Sequence, residues 1–505
     1  MKNKISSFIA TCLAGVLFFT LFGMAGCAKG GAKKDELLVR YAECGYGDVW
    51  LKTAAKKFEE THEGIKVKLE GDPSLGSSNV YSQLQSGKNL ADVYMLLNAP
   101  WREWVSLGYL ANLNSVYETE VQTSAGATKI KDFMLNDVCD SYYMPRYVGQ
   151  EQSFPWAMPW ALVQVGICYN QEMLAATPRR AQAGNWTTPP ETVEELVEYC
   201  SDLTARGITP FAFAGSEPHW LQYLMRGWWG QYQGAYTPNT ANPDVNDAAG
   251  SYFDFWNYKS ADVFNQAGIK ASVAAFQSIF CKINADGDLK NVSENVMVFS
   301  TQDAEKEFAL QKCAMLLGGS FMENEVGDWR DMDKDGKNDF TIRMMTLPRI
   351  NGAQCGANGD PLQMNYYNSE DLMFVPAKAV NLDLAKEFLA FLSSEEAVLD
   401  FTKQNGSIRP FKYNAAENEK DGFEYTPFTK DVINIYNTSD VRLMAYPVGT
   451  PQESVSPIYM FLLPTPESVH SGYFSAIRRQ SAENILKEIH QNAQREWNKW
   501  LQDVA

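Results

Sequence analysis

Several features that mark enzymes and nucleic-acid-binding proteins are missing from this chain of 505 residues. Only four histidines are present, and their spacing excludes an HExxH zinc site. We find no GxSxG nucleophile turn, no P-loop and no complete dinucleotide-binding fingerprint. Basic residues are also in deficit, since 44 Lys and Arg stand against 61 Asp and Glu, a net charge of −17. Such an acidic chain is repelled by nucleic acid and by anionic lipid headgroups, so both are poor partners.

Long apolar runs are missing too, except at the N-terminus. There Lys2 and Lys4 precede an apolar run from Ile5 to about Ala25. A basic start, an apolar middle and small residues at the end describe an export signal. Residues 23–27 read Gly-Met-Ala-Gly-Cys, which resembles the lipobox of bacterial lipoproteins. We expect residues 1–26 to be a signal peptide, Cys27 to carry lipid and residues 27–36 to form a flexible tether. An ordinary secretory signal with a chance cysteine is the alternative.

The cysteines form no recognisable motif. Nine are present without a CxxC pair, so neither a zinc knuckle nor a redox motif is indicated. Cys12 would leave with the signal peptide. The seven after Cys27 are scattered, and we predict that they are buried thiols without a disulfide: Cys44, Cys139, Cys168, Cys200, Cys281, Cys313 and Cys355.

The length and composition describe a globular protein of two or more domains. Hydrophobic residues make up 45% and charged residues 21%, so disorder is not expected. The 13 Trp and 24 Tyr supply more aromatic surface than a core alone requires. Some of these rings are therefore available for a binding surface.

The first part of the chain predicts a parallel α/β sheet. Strand and helix patterns alternate: strands are predicted at 37–43, 65–70 and 91–97, and helices at 48–60 and 81–85. In such sheets ligands bind beyond the carboxyl ends of the strands. That rule points to the turn 43–47 and to the segment 98–104.

The predicted organisation of the rest of the chain depends on residues 155–170, PWAMPWALVQVGICYN. Their second half is apolar and β-branched over the length of a buried strand. We interpret it as a strand that crosses between two lobes, with 371–375 as a candidate return crossing. Further strands are predicted at 211–214, 313–317 and 341–347, and helices at 192–206, 216–232, 258–282, 304–312, 384–392, 395–404 and 482–501.

Taken in order, these segments resemble the extracellular solute-binding proteins of bacterial ABC importers, in the carbohydrate-binding group that includes maltose-binding protein. The similar pieces are AAKKFEETHEGIKVKLE, ADVYMLLN, PWALVQVGICYN with TVEELVEYCSDLTARGITPFAF, FALQKCAMLLGGSF, LAKEFLAFLSSEEAVLDFTKQNGSIRP and a helical C-terminus ending in NKWL. The chain is long for the family, with inserted material at 113–152, 235–257 and 328–340.

The resemblance implies an α/β, two-lobed, periplasmic-binding-protein-like fold of type II, with discontinuous lobes joined by crossing strands. We expect lobe 1 to comprise 36–159 plus 371–414, and lobe 2 to comprise 160–370 plus 415–505. It also implies a monomer on the extracellular face of the cytoplasmic membrane, held by its lipid. The protein would capture a carbohydrate, pass it to an ABC permease and perform no covalent chemistry. It would require no cofactor.

Sugars have hydroxyl edges and weakly apolar C–H faces, so a site needs flat aromatic rings and forked polar side chains. Glu217-Pro218-His219-Trp220 resembles the Glu-Pro-aromatic turn that the family uses for sugar, with His219 in the usual aromatic position. Phe321 falls where the family often has a stacking Trp. Core packing is the alternative for both. We predict ligand binding by Glu43, Tyr46, Asn98, Trp101, Trp160, Glu217, His219, Trp220, Phe321 and Tyr473.

An acidic loop is a candidate calcium site. It offers oxygen ligands at positions 1, 3, 5 and 9 of a calcium loop, with Gly336 at the sharp turn. Position 12 is Ile342, where an EF-hand has a bidentate Glu, so a remote carboxylate would have to complete the shell. A solvated acidic turn is the alternative. The predicted structural calcium site comprises Asp331, Asp333, Asp335, Lys337 and Asp339.

Two other functions stay open at this point. In a surface-anchored glycoside hydrolase, Glu217 and a second carboxylate would flank a glycosidic bond. A passive carbohydrate-binding or adhesive lipoprotein would need no hinge between the lobes.

Overall fold

A computed structural model describes residues 36–146, 151–217, 219–257, 259–285, 287–330, 340–444 and 477–504. The predicted signal peptide, Cys27, the tether before residue 36, the acidic loop 331–339 and Tyr473 lie outside the described residues.

The strands, numbered in chain order, are β1 (Glu36–Ala42), β2 (Lys66–Asp72), β3 (Val93–Leu97), β4 (Glu120–Thr123), β5 (Gly126–Lys129), β6 (Tyr143–Met144), β7 (Phe154–Pro155), β8 (Met158–Pro159), β9 (Val163–Asn170), β10 (Thr209–Ala212), β11 (Cys313–Gly319), β12 (Ile342–Met345), β13 (Met364–Asn368), β14 (Asp371–Phe374) and β15 (Val441–Met444).

The helices are α1 (Val49–Thr61), α2 (Ser77–Ser86), α3 (Trp101–Ser106), α4 (Asn114–Tyr117), α5 (Ile130–Phe133), α6 (Asn136–Ser141), α7 (Gln171–Ala175), α8 (Val193–Ala205), α9 (His219–Gln233), α10 (Tyr252–Trp256), α11 (Ala267–Phe280), α12 (Thr301–Ala309), α13 (Met322–Arg330), α14 (Leu382–Leu392), α15 (Glu395–Asn405), α16 (Pro427–Thr438) and α17 (Ala482–Val504). Short 3₁₀ helices lie at Asp247–Ala249, Ala261–Asn265, Val296–Val298 and Ala415–Gly422.

The first lobe is the part built on a five-stranded sheet of order β2-β1-β3-β14-β8. Strand β1 pairs in parallel with β2 and β3, whereas β14 runs antiparallel to β3 and β8. The parallel β-α-β order predicted for this region is therefore confirmed. Because β1 and β3 point the same way, the loops that follow Ala42 and Leu97 lie at one edge of the sheet. Helix α1, predicted at 48–60, buries one apolar face, which comprises Trp50, Leu51, Ala54, Ala55 and Phe58.

The second lobe is the part built on a sheet of order β10-β11-β9-β13-β15, in which β12 also pairs with β9. Strand β9 is antiparallel to β11, β12 and β13, and all eight of its residues are buried. Its apolar, β-branched sequence is typical of a strand covered on both faces. The strand on which the sequence interpretation centred is therefore the central strand of the second lobe.

The chain crosses between the lobes at three places. Strand β8 belongs to the first sheet and β9 to the second, so the first crossing is at 160–162. The return crossing lies at 369–370, between β13 and β14. After α15 the chain crosses again where the Leu162 main-chain N–H donates to the Ile408 carbonyl at 3.1 Å, and β15 then joins the second sheet. The fold is α/β with two discontinuous lobes joined by crossing strands, as the sequence predicted.

Some elements differ from the sequence-based prediction. The single helix predicted at 258–282 is a 3₁₀ turn followed by α11, with an extended Gln266 between them. The buried Gln266 amide donates to the carbonyls of Ala249 and Ser251, and Trp229 Nε1 donates to its oxygen at 2.7 Å. These tertiary hydrogen bonds keep Gln266 extended, so the helix that periodicity alone predicted is interrupted at this residue. Strands β13 and β15 and helices α13 and α16 were not predicted.

The seven cysteines that follow Cys27 all lie in the described part of the chain and are free thiols, as predicted. The prediction that all are buried is wrong for three of them, since Cys44 and Cys281 are partly exposed and Cys355 is exposed. Within the same residues, no helix combines the length and the apolar character needed to cross a bilayer.

Candidate functional site: an acidic, aromatic cavity between the lobes

A cavity of about 410 Å³ lies between the two lobes. This volume is within the range of about 300–1,000 Å³ that is usual for small-molecule sites. The walls come from the loops after β1 and β3, from β9, α9 and α13, and from the crossing between β13 and β14. The lining residues are Cys44, Gly45, Tyr46, Leu97, Asn98, Val163, Trp220, Tyr223, Phe321, Glu325, Asn368, Glu370 and Asp371.

Four aromatic rings in contact run from one lobe to the other. Tyr46 of the first lobe meets Phe321 of the second edge-on, with ring centroids 5.4 Å apart. Trp220 lies 6.1 Å from Phe321 and 6.0 Å from Tyr223. Trp220 and Tyr223 share one face of α9 because they are three residues apart. The rings give the cavity an apolar surface on which a flat apolar face can stack.

The Phe321 ring reaches the cavity because β11 ends in glycine. A Cβ on Gly319 would come within 2.7 Å of the Phe321 ring and 2.8 Å of Val163 Cγ1. Any larger residue at this position would displace the ring or push β11 away from β9.

A second layer of rings supports Tyr46 from behind. The Trp160 ring contacts Tyr46 edge-on at 5.1 Å and stacks on Trp50 at 5.8 Å and 15°. The Tyr46 hydroxyl is buried and makes no hydrogen bond of good geometry within the described residues, although the Asp371 carboxyl lies beside it. Burial, together with the charge of Asp371, holds the pKa of Tyr46 well above its usual value. Tyr46 therefore keeps its proton and is a donor at neutral pH.

Two amides add further polar groups. Asn98 has a left-handed backbone, with φ +53°, which Asn tolerates better than most residues. Its main-chain N–H donates to the Glu370 carbonyl at 3.1 Å, which ties the edge of the first lobe to the crossing. Asn368 Nδ2 donates to Glu370 Oε2 at 2.9 Å and to the Tyr223 hydroxyl at 3.4 Å. The cavity thus offers both donors and acceptors beside its rings.

Asp371, the first residue of β14, is a carboxyl with a perturbed pKa. It is 8% exposed, and burial raises its pKa to about 7. Burial and the neighbouring Asp371 raise the pKa of the Cys44 thiol to about 12. Asp371 therefore changes its charge near neutrality, whereas Cys44 stays protonated.

A pair of glutamates lies on the second-lobe side. Glu325, which lines the cavity, packs so closely on Gly45 of the first lobe that a Cβ there would overlap its carboxylate. Glu305 on α12 is 3% exposed and accepts a hydrogen bond from Trp329 Nε1 at 3.3 Å. Burial and the adjacent Glu325 raise the pKa of Glu305 to about 9. Glu305 therefore keeps its proton at neutral pH. Among the described residues no group of His, Cys, Asp and Glu is arranged to hold a metal ion.

Four of the predicted ligand-binding residues line this cavity: Tyr46, Asn98, Trp220 and Phe321. They come from the loops after β1, β3 and β11 and from the start of α9. Segments far apart in the sequence thus supply one surface.

Other predicted residues do not line this cavity. Trp101 was predicted to bind the ligand, but it is buried, with 1% of its surface exposed. The Trp101 ring packs at 5.4 Å on Tyr142, which belongs to the inserted segment. Trp160 is 3% exposed and supports Tyr46 instead of lining the cavity. The Glu43 carboxylate lies against Gly71, on the side of β2.

The side chains of Glu217 and Trp220, in the Glu-Pro-His-Trp turn, have different roles. Glu217 accepts hydrogen bonds from the main-chain N–H of Thr301 at 3.0 Å and from its hydroxyl at 2.7 Å, so it stabilises the start of α12 and does not line the cavity. Trp220 Nε1 donates to the same hydroxyl at 3.0 Å, which orients the ring toward the cavity. His219 begins α9.

Sequence reasoning missed several lining residues. Tyr223 could have been predicted, because it lies one helical turn after Trp220 and therefore on the same face of α9. Asp371 begins the predicted return crossing and Glu370 directly precedes it, so both positions could have been inferred from the expected junction of the lobes. We find no local signal that singles out Glu325 or Asn368.

Comparison with known proteins identifies the family. Residues 46–399 match the family of bacterial extracellular solute-binding proteins. A multiple sugar-binding protein of Streptococcus mutans is 24% identical over 404 residues, 78% of this chain and 81% of its own. An uncharacterised ABC transporter extracellular-binding protein of Pyrococcus horikoshii is 22% identical over 453 residues, 86% of each chain.

Solved structures give the same fold. A RafE solute-binding protein in complex with raffinose has a TM-score of 0.58 at 14% identity, with 90% of this chain and 98% of that one covered. The GacH receptor of Streptomyces glaucescens has a TM-score of 0.57 at 15% identity, with 93% and 99% covered. Both support the two-lobed, periplasmic-binding-protein-like fold of type II. With most of its length matched by the family and its fold shared with such receptors, the chain belongs to the bacterial extracellular solute-binding proteins.

Proposed function

We propose that this protein captures a carbohydrate, a short oligosaccharide, between its lobes and delivers it to the permease of an ABC importer. The observation that carries the proposal is the cavity, in which four aromatic rings face two amides and three carboxyl groups across the junction of the lobes. The names of the sugar-binding relatives support the same ligand class.

The chemistry of the lining suits a saccharide. Trp220 and Phe321 offer ring faces to the C–H faces of a pyranose, and such contacts are stabilised by dispersion and by release of water. Asn98, Asn368 and Glu370 offer acceptors and donors at the rim for hydroxyl groups. Because the rings and the polar groups lie on both lobes, a bound sugar contacts both lobes at once and favours the closed arrangement.

We further propose the organisation of the whole protein. The lobes comprise 36–159 plus 371–414 and 160–370 plus 415–505, and the protein acts as a monomer. Residues 1–26 are removed, and Cys27 carries the lipid that holds the protein to the outer face of the cytoplasmic membrane. The loop 331–339 binds a structural calcium ion. Replacing Cys27 with Ser and following the protein into the membrane or the soluble fraction tests the anchor.

Calorimetric titration with a panel of neutral oligosaccharides, together with small-angle X-ray scattering, tests the function. We expect saturable binding with a decrease in the radius of gyration. Binding without compaction would favour a passive adhesive protein. Shortened oligosaccharides after prolonged incubation would favour a glycoside hydrolase, and the absence of binding to any saccharide would refute the proposal.

A further inference from the structure

A buried arginine lies at the third crossing between the lobes. Arg409 directly follows Ile408, whose main-chain carbonyl accepts a hydrogen bond from the N–H of Leu162 in the first crossing at 3.1 Å. The nearby Ser407 hydroxyl donates to the main-chain carbonyl of Ser320 in the second lobe at 2.9 Å. Arg409 itself is 0% exposed. A positive charge therefore lies inside the protein where the chain passes from one lobe to the other.

Helix α14 and two aromatic rings hold part of the guanidinium. Its Nη1 donates to the main-chain carbonyl of Leu392, the last residue of α14. The guanidinium carbon lies over the rings of Phe401 and Phe411, at 5.8 and 5.1 Å from their centroids. A helix C-terminus carries only about half of a negative charge, and an aromatic ring has no net charge. These contacts orient the guanidinium without neutralising it.

The other edge of the guanidinium faces no acceptor of the protein. The Nε and Nη2 atoms of Arg409 are buried, and neither donates a hydrogen bond within the described residues. Burial lowers the pKa of Arg409 to about 9, and among the described residues it is the Tyr413 phenol, not a carboxylate, that raises it. Burial also raises the pKa of Tyr413, so this phenol is neutral at pH 7. Arg409 is therefore charged at this pH beside an uncharged neighbour.

The chemistry of arginine indicates what belongs on this edge. Removing a charge from water is costly, so buried charges are normally paired. A buried lysine can lose its proton, whereas a guanidinium keeps its proton at neutral pH. Nε–H and Nη2–H point in the same direction from one edge of the planar group, which is the geometry that holds an anion with two hydrogen bonds. A water molecule accepts the same hydrogen bonds but brings no charge.

We propose that the Nε–Nη2 edge of Arg409 binds a monovalent inorganic anion of the chloride type, and that this ion is part of the folded crossing. One negative charge balances one guanidinium, whereas a divalent anion would leave an excess of negative charge in the interior. Arg409 does not line the cavity between the lobes, so the inference goes beyond the proposed function and does not depend on it.

Crystals of the unmodified protein grown in sodium bromide test the site directly. Bromide replaces chloride at such sites and is identified by its anomalous scattering. We expect an anomalous peak within hydrogen-bond distance of both Nε and Nη2 of Arg409. A water molecule on this edge without an anomalous signal would overturn the inference. A carboxylate of the protein paired with Arg409 would overturn it as well.

The dependence of stability on chloride gives a second readout, because an ion that binds only the folded protein stabilises it. Chloride is varied at constant ionic strength against gluconate, which is too large for the site. We expect the melting temperature of the unmodified protein to rise by about 1 °C for each tenfold increase in chloride once the site is saturated. Arg409→Met removes the charge and keeps an unbranched side chain, so this rise should disappear.

The matched control is Arg40→Met. Arg40 is also buried, at 4% exposed, but it already pairs with Glu70 at 2.9 Å. This variant should keep the chloride dependence of the unmodified protein. An equal rise in Arg409→Met and in the unmodified protein would contradict the assignment to Arg409. If Arg409→Met does not fold, the bromide crystals decide, because they contain the unmodified protein.

Discussion

The side chain of Asn324 donates a hydrogen bond to the main-chain carbonyl of Gly45, with Nδ2 and the oxygen 3.1 Å apart, and so joins the two lobes. The same amide nitrogen donates to the carbonyl of Asn405 at 3.0 Å. Asn324 lies on α13 of the second lobe, whereas both acceptors belong to the first lobe. Because the acceptors are main-chain atoms, the link depends on the position of the first lobe and not on its side chains.

We expect Asn324→Ala to favour separation of the lobes and to weaken ligand binding. A neutral hydrogen bond contributes about 0.5–1.5 kcal/mol net, so the loss of two destabilises the closed arrangement by about 1–3 kcal/mol. Scattering should show a larger radius of gyration, and calorimetry a higher Kd. The control is Asn434→Ala, which removes an exposed amide from α16 in the second lobe. A Kd and a radius of gyration that stay at the unmodified values in Asn324→Ala would rule out this role.

Two tryptophan variants should separate affinity from stability. Trp220 lines the cavity, so Trp220→Ala should weaken sugar binding by roughly 1–3 kcal/mol with a smaller effect on unfolding. Trp101 is 1% exposed and packs on Tyr142, so Trp101→Ala should lower the free energy of unfolding by about 3–5 kcal/mol. Denaturant melts and calorimetric titrations of both variants check the contrast.

The exposed ring of Tyr236, which is 56% accessible and does not line the cavity, provides the matched aromatic control. Tyr236→Ala should retain the affinity of the unmodified protein. If Trp101→Ala lost affinity while Trp220→Ala kept it, the site would have to be reassigned to the region of α3.

Trp220 lines the cavity as predicted, whereas Trp101 is buried, and this contrast shows where sequence reasoning succeeds and where it fails. The order of strands and helices in the first lobe, and the buried strand β9, follow from periodicity and apolar runs that are local in the sequence. The same order predicted that the loops after β1 and β3 would meet, and Tyr46 and Asn98 both line the cavity. The exposure of Trp101 could not be predicted, because the ring that covers it belongs to the inserted segment, which the sequence did not place.

The polar half of the site was the harder part to predict. Glu325 reaches the cavity because α13 follows β11 and packs against Gly45 of the other lobe, which is a tertiary contact without a sequence pattern. Asn368 ends β13, a strand whose sequence MNYYN gives a weak apolar signal. Among 61 acidic residues, those few that face the cavity are selected by the crossing geometry and not by their neighbours in the chain.

The affinity for a neutral sugar should rise with pH as Asp371 ionises. Its pKa is about 7 because it is buried, and a sugar hydroxyl that donates to it favours the ionised form. Binding therefore releases a proton below pH 7, and affinity increases by at most about tenfold per pH unit up to that value, then levels off. The pKa of Tyr46 and that of Cys44, about 12, are too high for either to contribute in this range.

Calorimetry in buffers of different ionisation enthalpy measures both the affinity and the number of protons released. The titrations should cover about 1.5 pH units on either side of the Asp371 pKa of about 7. Asp371→Asn should flatten the profile, whereas Asp360→Asn, an exposed carboxyl in the loop before β13, should preserve it. Equal slopes in the unmodified protein and in Asp371→Asn would assign the titration to another group.

The buried Glu305 should make the protein less stable as pH rises. Its pKa is raised to about 9 in the folded state, above the ordinary value of 4.5, by burial and by Glu325. The unfolded chain releases this proton at a lower pH than the folded protein does, so the favourable contribution is fully present below pH 4.5 and is lost as pH rises toward 9.

Glu305→Gln keeps an amide that can donate to Glu325 and removes the titration. We expect it to increase the free energy of unfolding at pH 8 by about 1–3 kcal/mol, because the unfolded chain no longer gains by releasing the proton that the folded protein keeps on Glu305. Melting temperatures measured across this interval should fall less steeply for Glu305→Gln than for the unmodified protein and for Glu60→Gln, which removes an exposed carboxylate from α1. The fall that remains in Glu305→Gln comes from Asp371, whose pKa is also raised by burial. Parallel curves for all three would show that Glu305 does not carry the buried proton.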